Sequence, residues 1–182
     1  MYISAPKSKL SRKKYLLDAE QEQLNALLEK YKDQDARNCT LIWVALHTGA
    51  RASEILNITK DDFCLEEAVV CIRGLKGSDD REIPLPKWLA DRVSKLVPGA
   101  DGRIFPLSYN RFREIWVLYR PVEKKLHSLR HTFAINLYRK SKDVRLVQCF
   151  LGHRNIQHTM IYASYDYSLS EMRRVLFGSP AQ

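Results

Sequence analysis

The chain has 182 residues, of which 45% are hydrophobic and 28% charged, the composition of an ordinary globular domain with a core of its own. No stretch approaches the roughly eighteen apolar residues of a membrane span, and the N-terminus lacks the apolar block of a secretory signal, so we expect a soluble, cytoplasmic protein without a membrane partner. Thirty Lys and Arg against twenty-one Asp and Glu give a formal net charge of +9, which indicates a polyanionic partner: DNA, RNA or a membrane surface.

The cysteines and acidic pairs favour neither disulfides nor metal sites. The four cysteines include no C-x-x-C pair, and no histidine stands at zinc-finger spacing. We expect reduced core residues at all four positions: Cys39, Cys64, Cys71 and Cys149. The acidic pairs are typical of solvated turns, so we predict no metal ligands and no cofactor: Asp61/Asp62, Glu66/Glu67 and Asp79/Asp80.

The first part of the chain is a basic segment followed by helices. Residues 1–16 carry five basic residues and no acidic one, which indicates either an arm that lies along a phosphate backbone or a disordered terminus. From Asp18, a candidate N-cap with Gln21 three positions later, leucines at 3/4 spacing predict an amphipathic helix. "ARNCTLIWVALHTG" then predicts a buried helix that ends at Gly49, and "SEIL" a short one.

The middle of the chain predicts a small sheet, and helices follow it. "AVVCIRG" and "REIPLP" are strand candidates, and the turn-rich "LKGSDD" between them predicts a hairpin with Lys76 near its turn. Six helices are predicted beyond it, the second opened by Ser108: "KWLADRVSKLV", "SYNRFREIWVLY", "SLRHTFAINLYRK", "DVRLVQCFLG", "NIQHTMIYAS" and "SLSEMRRVLF". No repeat or linker interrupts residues 17–182, so we predict one domain, mainly α with a small antiparallel β-sheet.

Two short stretches place basic residues where one anion could bind. In "HTGARASEIL", Arg51 follows a helix stop and begins a new helix, where backbone N–H groups and the guanidinium can point at the same anion. In "HSLRHTF", His127 and Arg130 stand three residues apart at a helix start and can face one phosphate. Each pattern alone is equally typical of ordinary surface charges.

A third stretch, "LGHRNIQHTMIYASYDY", places a tyrosine near a histidine. Tyr162 follows His153 by nine residues, with Gly152 ending one helix and Asn155 able to cap the next. The two side chains can therefore converge on one cleft. A lone tyrosine on an apolar face is more often a core ring whose hydroxyl is hydrogen-bonded.

Taken in order and spacing, "TGARASEI", "LKG", "HSLRHTFA" and "LGHRNIQHTMIY" resemble the catalytic domain of the tyrosine site-specific recombinases, the phage integrase family. The resemblance runs from about Leu16 to about Phe177 and implies the recombinase catalytic-domain fold. It gives Glu54 a supporting role. It also implies six catalytic residues: Arg51, Lys76, His127, Arg130, His153 and Tyr162.

The chemistry that the resemblance implies fits these residue types. Two arginines would clamp a phosphate in bidentate fashion and favour the phenolate of Tyr162, while the two histidines add hydrogen bonds and help to handle its proton. Lys76 would protonate the departing 5′ oxygen. Attack by Tyr162 would leave a 3′-phosphotyrosine and a free 5′ hydroxyl, and a hydroxyl of the partner strand would reverse the step without ATP or metal.

Some assignments have rivals nearby. Tyr165 and Tyr167 are alternative nucleophiles, although the family spacing from the histidine favours Tyr162. Hairpin length varies in such proteins, so Arg73 or Arg81 could take the place of the hairpin lysine. Two further histidines are interpreted as helix-face or DNA-adjacent residues without chemistry: His131 and His158.

The resemblance predicts a site-specific DNA recombinase that performs integration, excision or inversion. The expected partners are double-stranded DNA, further copies forming a homotetramer on two DNA sites, and accessory DNA-bending proteins. The alternatives are a non-catalytic DNA-binding regulator and a type IB topoisomerase-like relaxing enzyme.

Only a short basic arm precedes the first helix, where integrase-family proteins commonly carry another DNA-gripping domain. This indicates either a minimal recombinase or the catalytic domain of a longer integrase, and "GARASEI" with "LGHRNIQHT" favours the fimbrial phase-variation invertase type. The amphipathic "SLSEMRRVLF" helix would pack on a neighbouring protomer or on its own domain.

Overall fold

The computed structural model describes residues 10–75, 77–163 and 176–178, and helices dominate this part of the chain. Short 3-10 helices cover Arg12–Lys14, Lys60–Asp62 and Ile156–His158. The α-helices are α1 (Asp18–Tyr31), α2 (Ala36–Thr48), α3 (Ala52–Ile55), α4 (Lys87–Ser94), α5 (Tyr109–Tyr119), α6 (Ser128–Ser141), α7 (Val144–Leu151) and α8 (Met160–Ala163). The mainly α class is confirmed.

A three-stranded antiparallel sheet accompanies the helices. Its strands are β1 (Phe63–Cys64), β2 (Val69–Ile72) and β3 (Arg81–Pro84), in the order β1-β2-β3. Ile72 pairs with Arg81, so residues 73–80 connect the predicted hairpin. β1 was not predicted, because a two-residue strand is too short to show an alternating pattern. Lys76 lies outside the described residues.

The core is built around α2. Residues 41–45 of that helix are all buried, and α2 packs against α1, α3, α4 and α6. A second, smaller apolar cluster lies among α6, α7 and α8 and includes Ile135, Val147 and Tyr162. Leu10 and Tyr15 belong to the same cluster, so the end of the basic segment is anchored against the helices.

The glycine stops and most of the predicted caps are confirmed. Gly49 and Gly152 end α2 and α7 with φ of 60° and 64°, a left-handed conformation that suits glycine. Asn155 caps the next 3-10 helix by accepting a hydrogen bond from the Gln157 N–H at 2.9 Å. The cap predicted at Asp18 is wrong by one residue, because Leu17 is the N-cap and donates its N–H to the Glu20 carboxylate at 2.7 Å.

Other expectations need correction or fall outside the described residues. Cys39 is buried, but Cys64 and Cys149 are exposed and Cys71 is half-buried, so the cysteines are not all core residues. The predicted "NIQHTMIYAS" helix divides into a 3-10 turn and α8, and most of the "SLSEMRRVLF" helix is outside the described residues. Among the helices of the described ranges, none combines the length and apolar character that a membrane span requires.

Candidate active site

The guanidinium of Arg130 occupies the centre of the site. It lies in the first turn of α6, is 3% exposed, and donates to the carbonyls of Gly49 at 2.7 Å and Leu151 at 2.9 Å. These carbonyls belong to the C-terminal ends of α2 and α7, where helix carbonyls lack helical partners and the helix dipole favours a cation. Burial, and then the charge of Arg51, lowers the pKa of Arg130 to about 10, so it remains charged at neutral pH.

Arg51 reaches the same cleft from the start of α3. Its Nη1 donates to the Glu54 carboxylate at 3.0 Å and to the hydroxyl of Ser78, while about a third of its side chain stays exposed. A cavity of about 210 Å³ is lined by Arg51, His127 and Arg130, among other residues. The three cationic or donor groups that sequence motifs predicted to face one anion therefore share one cleft.

Glu54 holds the arginines in place from beneath the cleft. Its side chain is fully buried; its carboxylate accepts from Arg81 at 2.7 Å and from the Arg51 N–H at 2.8 Å, and lies 3.9 Å from Arg130. Burial alone would raise the pKa of this carboxyl group. The hydrogen bond and charge of Arg81, followed by the Arg51 N–H and Arg130, outweigh burial and hold the pKa below its usual value.

Arg81 belongs to the site, although the sequence did not predict a structural role for it there. It begins β3, is 9% exposed, and joins the hairpin to two other elements. Its Nη2 binds Glu54, and its Nε donates to the Phe150 carbonyl at 2.7 Å. Sequence reasoning considered Arg81 only as a substitute for Lys76. Its actual contacts are with groups 27 and 69 positions away, which no local pattern reveals.

His153 contacts Arg130 through its ring. Its Nε2 lies 2.9 Å from the Arg130 Nη2, and its Nδ1 lies 2.9 Å from the buried Thr159 hydroxyl. Because a guanidinium can only donate, Nε2 is the acceptor and the ring proton resides on Nδ1. Burial, then Arg130 and Arg51, lowers the pKa of His153 to about 3, so the ring is neutral and supports the arginine.

Tyr162 lies beside this cluster, and its hydroxyl contacts a different histidine. The side chain is 1% exposed, and its hydroxyl lies 3.0 Å from Nδ1 of His131. Burial raises the pKa of Tyr162 to about 12, although Arg130 and Arg51 oppose that rise. The expected phenolate-favouring effect of the two arginines is therefore present, but in this structure burial is stronger.

His127 and His131 lie together at the start of α6. Their ring centroids are 4.6 Å apart in an edge-on arrangement. Burial, followed by the charges of Arg130 and Arg51, lowers the pKa of His127. His131, interpreted from the sequence as a helix-face or DNA-adjacent residue, lies with its Nδ1 3.0 Å from the Tyr162 hydroxyl. Its place directly after Arg130 was the available signal.

The hairpin approaches the cleft through Ser78. This residue is 4% exposed, and its hydroxyl donates to the Gly152 carbonyl at 3.1 Å while accepting from Arg51. The N–H of Asp79 donates to the same carbonyl at 3.1 Å. The structure thus brings together five of the six predicted residues, and Lys76, two positions before Ser78, is the one outside the described residues. Tyr165 and Tyr167 are outside them as well.

Several curated relatives and solved structures that match this chain are recombinases or integrases. Tyrosine recombinase XerA of Thermococcus kodakarensis is 33% identical over an alignment of 175 positions, which covers 88% of this chain and 61% of that protein. Tyrosine recombinase XerC of Actinobacillus succinogenes is 31% identical over an alignment of 185 positions, which covers 91% of this chain and 61% of that protein. The chain thus spans about three fifths of the length of these relatives.

Two solved structures share the fold. The XerH site-specific recombinase bound to its difH substrate superposes with a TM-score of 0.70 and 26% identity, covering 96% of this chain and 56% of that one. The catalytic domain of bacteriophage HP1 integrase gives a TM-score of 0.64 and 26% identity, covering 92% and 98%. The phage integrase family model matches residues 14–168. The chain therefore belongs to the phage integrase family.

Proposed function

We propose that this chain is the catalytic domain of a site-specific DNA recombinase that cleaves and rejoins strands through a 3′-phosphotyrosine. The observation that carries the proposal is the convergence of Arg51, His127 and Arg130 on one cleft, with Tyr162 held beside them. In this proposal residues 17–182 form the catalytic domain, and residues 1–16 form a basic arm.

The cleft suits a phosphodiester. Arg51 is partly exposed while Arg130 is buried and fixed by two carbonyls, so one guanidinium can close on a phosphate that the other already positions. Charge-assisted hydrogen bonds from such preorganised donors stabilise the charge that builds on the non-bridging oxygens during transfer. His127 adds a neutral donor, and His153 keeps Arg130 in its orientation.

The nucleophile and the leaving-group acid complete the proposal. Tyr162 attacks phosphorus, Lys76 protonates the 5′ oxygen, and neither ATP nor a metal takes part, because rejoining reuses the energy of the phosphotyrosine bond. The support for Lys76 is its position in the chain, two residues before Ser78, whose hydroxyl contacts Arg51.

A basic cavity supports a path for the DNA backbone beside the site. It measures about 470 Å³, borders His127 and His131, and is lined by Glu123 and by five basic side chains: Lys13, Lys14, Arg120, Lys124 and Lys125. Lys124 is already paired with Glu20, so the other four are the candidate phosphate contacts. Cations along a groove displace the counterions of double-stranded DNA. The cavity therefore supports double-stranded DNA as the partner.

The proposal also includes the oligomeric state, the accessory proteins and the cellular location. Leu176 and Phe177 are 71% and 80% exposed, which supports burial of the C-terminal segment against a neighbouring protomer in a homotetramer on two DNA sites. Accessory DNA-bending proteins and a cytoplasmic location complete it. The fimbrial-invertase subtype stays a prediction.

Covalent capture tests this function without a known target. The chain is incubated in EDTA with a pool of nicked duplexes whose arms are randomised, and DNA that stays attached to protein after denaturation is sequenced. Wild type is compared with Tyr162→Phe and with Tyr31→Phe, a matched change in α1 at a ring that packs edge-on against Tyr119. We expect adducts enriched in one sequence, present with Tyr31→Phe and absent with Tyr162→Phe.

Other outcomes would contradict the proposal in different ways. Tyr162-dependent adducts without sequence enrichment would indicate a topoisomerase-like enzyme. Binding to double-stranded DNA without any adduct would indicate the non-catalytic regulator. An adduct that survives Tyr162→Phe but disappears with Tyr165→Phe or Tyr167→Phe would move the nucleophile.

A further inference from the structure

His131 is the histidine that touches the proposed nucleophile. Its Nδ1 lies 3.0 Å from the Tyr162 hydroxyl, with the ring centroids 5.7 Å apart. His153 has both ring nitrogens engaged, one by Arg130 and the other by Thr159. Within residues 10–75, 77–163 and 176–178, no other histidine nitrogen is hydrogen-bonded to that hydroxyl.

We propose that His131 is a catalytic residue that accepts the phenolic proton of Tyr162 during strand cleavage, an inference that rests on the proposed function. As the bond from the tyrosine oxygen to phosphorus forms and the bond from phosphorus to the 5′ oxygen breaks, the phenolic proton passes to Nδ1 of His131. Lys76 gives a proton to the 5′ oxygen. Rejoining returns both protons, so no further reactant is needed.

In this structure the proton stays on the tyrosine. Burial raises the pKa of Tyr162 to about 12, whereas the cations Arg130 and Arg51 act to lower it. The un-ionised hydroxyl is then a hydrogen-bond donor, and His131 accepts from it if the ring proton resides on Nε2. The resting pair is therefore neutral and poised, with the proton on the oxygen that must lose it.

A bound phosphodiester would make His131 more basic. Burial, followed by the charges of His127, Lys14 and Arg130, lowers the pKa of His131 to about 4. A phosphate anion in the cleft offsets these positive charges and raises the pKa of the imidazole toward the range of an effective general base. Proton transfer from Tyr162 is thus favoured only when substrate is present.

The arrangement also separates the two proton transfers of cleavage. His131 lies at the tyrosine oxygen, on the attacking side of the phosphorus. A substrate whose 5′ bridging oxygen is replaced by sulfur needs no acid for departure of the leaving group. Such a substrate isolates the role of His131 from that of Lys76.

The test measures single-turnover adduct formation on a captured duplex from pH 5.5 to 9. His131→Asn keeps a hydrogen-bond acceptor near the position of Nδ1, but the amide does not accept the proton. His47→Asn is the matched control, because His47 is a half-buried histidine that hydrogen-bonds the Trp43 carbonyl and packs on Trp88. We expect His131→Asn to lose about 100-fold or more in rate, the usual contribution of a general base, and His47→Asn to stay near wild type.

Two further measurements exclude a merely structural role. With the 5′-sulfur substrate, Lys76→Ala should recover its rate while His131→Asn should not. With His131→Ala, added imidazoles should restore cleavage in proportion to their basicity, because they can occupy the space left by the missing ring. Melting temperature and DNA affinity are recorded for each variant, and His131→Gln replaces His131→Asn if the latter does not fold.

The outcomes distinguish this inference from the function on which it rests. Wild-type rates for His131→Asn, or equal rescue by imidazoles of different basicity, would overturn proton transfer to His131 alone. Absence of any Tyr162-dependent adduct with wild type would remove both the proposed function and this inference.

Discussion

Glu54 is a buried anion on which the geometry of the arginines depends, and its neutralisation should destabilise the fold. The side chain is fully buried and pairs with Arg81 at 2.7 Å and Arg51 at 3.0 Å. Arg81 and Arg130 are themselves almost fully buried, at 6% and 3% side-chain exposure. Glu54→Gln keeps the shape of the side chain but leaves two buried cations without their counter-charge.

The expected magnitude follows from this burial. Removing one partner of a buried ion pair costs about 3–5 kcal/mol, because the remaining charge stays desolvated. Arg51 adds less to the cost, since it is one-third exposed and water can replace its partner. For a chain of this size, about 3–5 kcal/mol corresponds to a fall of roughly 10 °C in the melting temperature.

Urea unfolding followed by circular dichroism measures the change. The matched control is Glu114→Gln, which removes an exposed surface pair with Arg111 and should change stability very little. In a double-mutant cycle, Glu54→Gln and Arg81→Gln together should cost less than the sum of the single changes. A free energy of unfolding of Glu54→Gln within about 0.5 kcal/mol of wild type would refute the argument, because that range is typical of surface substitutions.

Three further predictions concern the histidines, the α2 stop and the central arginine. His131 and His153 have pKa values lowered to about 4 and 3, so between about pH 6.5 and 5 the unfolded chain binds protons that the folded chain does not. Urea titrations should show stability falling over that range by about 1 kcal/mol or less for each ring, since both rings are partly solvated, and a pH-independent profile would contradict this. Gly49→Ala should lower the melting temperature by several degrees, because the added Cβ would lie 2.2 Å from the Phe133 ring and because residue 49 has a φ of 60°, which alanine rarely adopts. An unchanged melting curve would show that the Phe133 ring moves freely. Arg130→Lys keeps the positive charge but loses the forked guanidinium that reaches two carbonyls, so the rate of adduct formation should fall about 100-fold or more. DNA affinity, measured by fluorescence anisotropy, should change little, and an unchanged rate would disprove the need for the guanidinium.

Much of the site could be predicted because its signals are local. Gly49 and Gly152 mark helix ends by their conformational freedom, and both endings are confirmed. Arg51 stands at the start of α3, and His127 and Arg130 stand at the start of α6, where their spacing lets these two face one direction. The ordered motifs then identified the family, which the family match confirms.

The remaining contacts depend on packing that no local pattern contains. The hydroxyl of Tyr162 meets His131 across 31 positions of the chain, and Glu54 meets Arg81 across 27. The apolar-face pattern left a buried core ring open for Tyr162, which is 1% exposed, and this burial reverses the expected net effect on its pKa. The strand β1 was missed because its two residues make up a single period of the alternating strand pattern, which needs several periods to be recognised.

The second half of the hairpin is fixed to the end of α7. Ser78 and Asp79 both bind the Gly152 carbonyl, and Arg81 binds the Phe150 carbonyl. Evolutionary change in hairpin length should therefore spare residues 78–81. An insertion between Ser78 and Arg81 would separate the hairpin from the end of α7, and lineages should avoid it even where the loop sequence drifts freely.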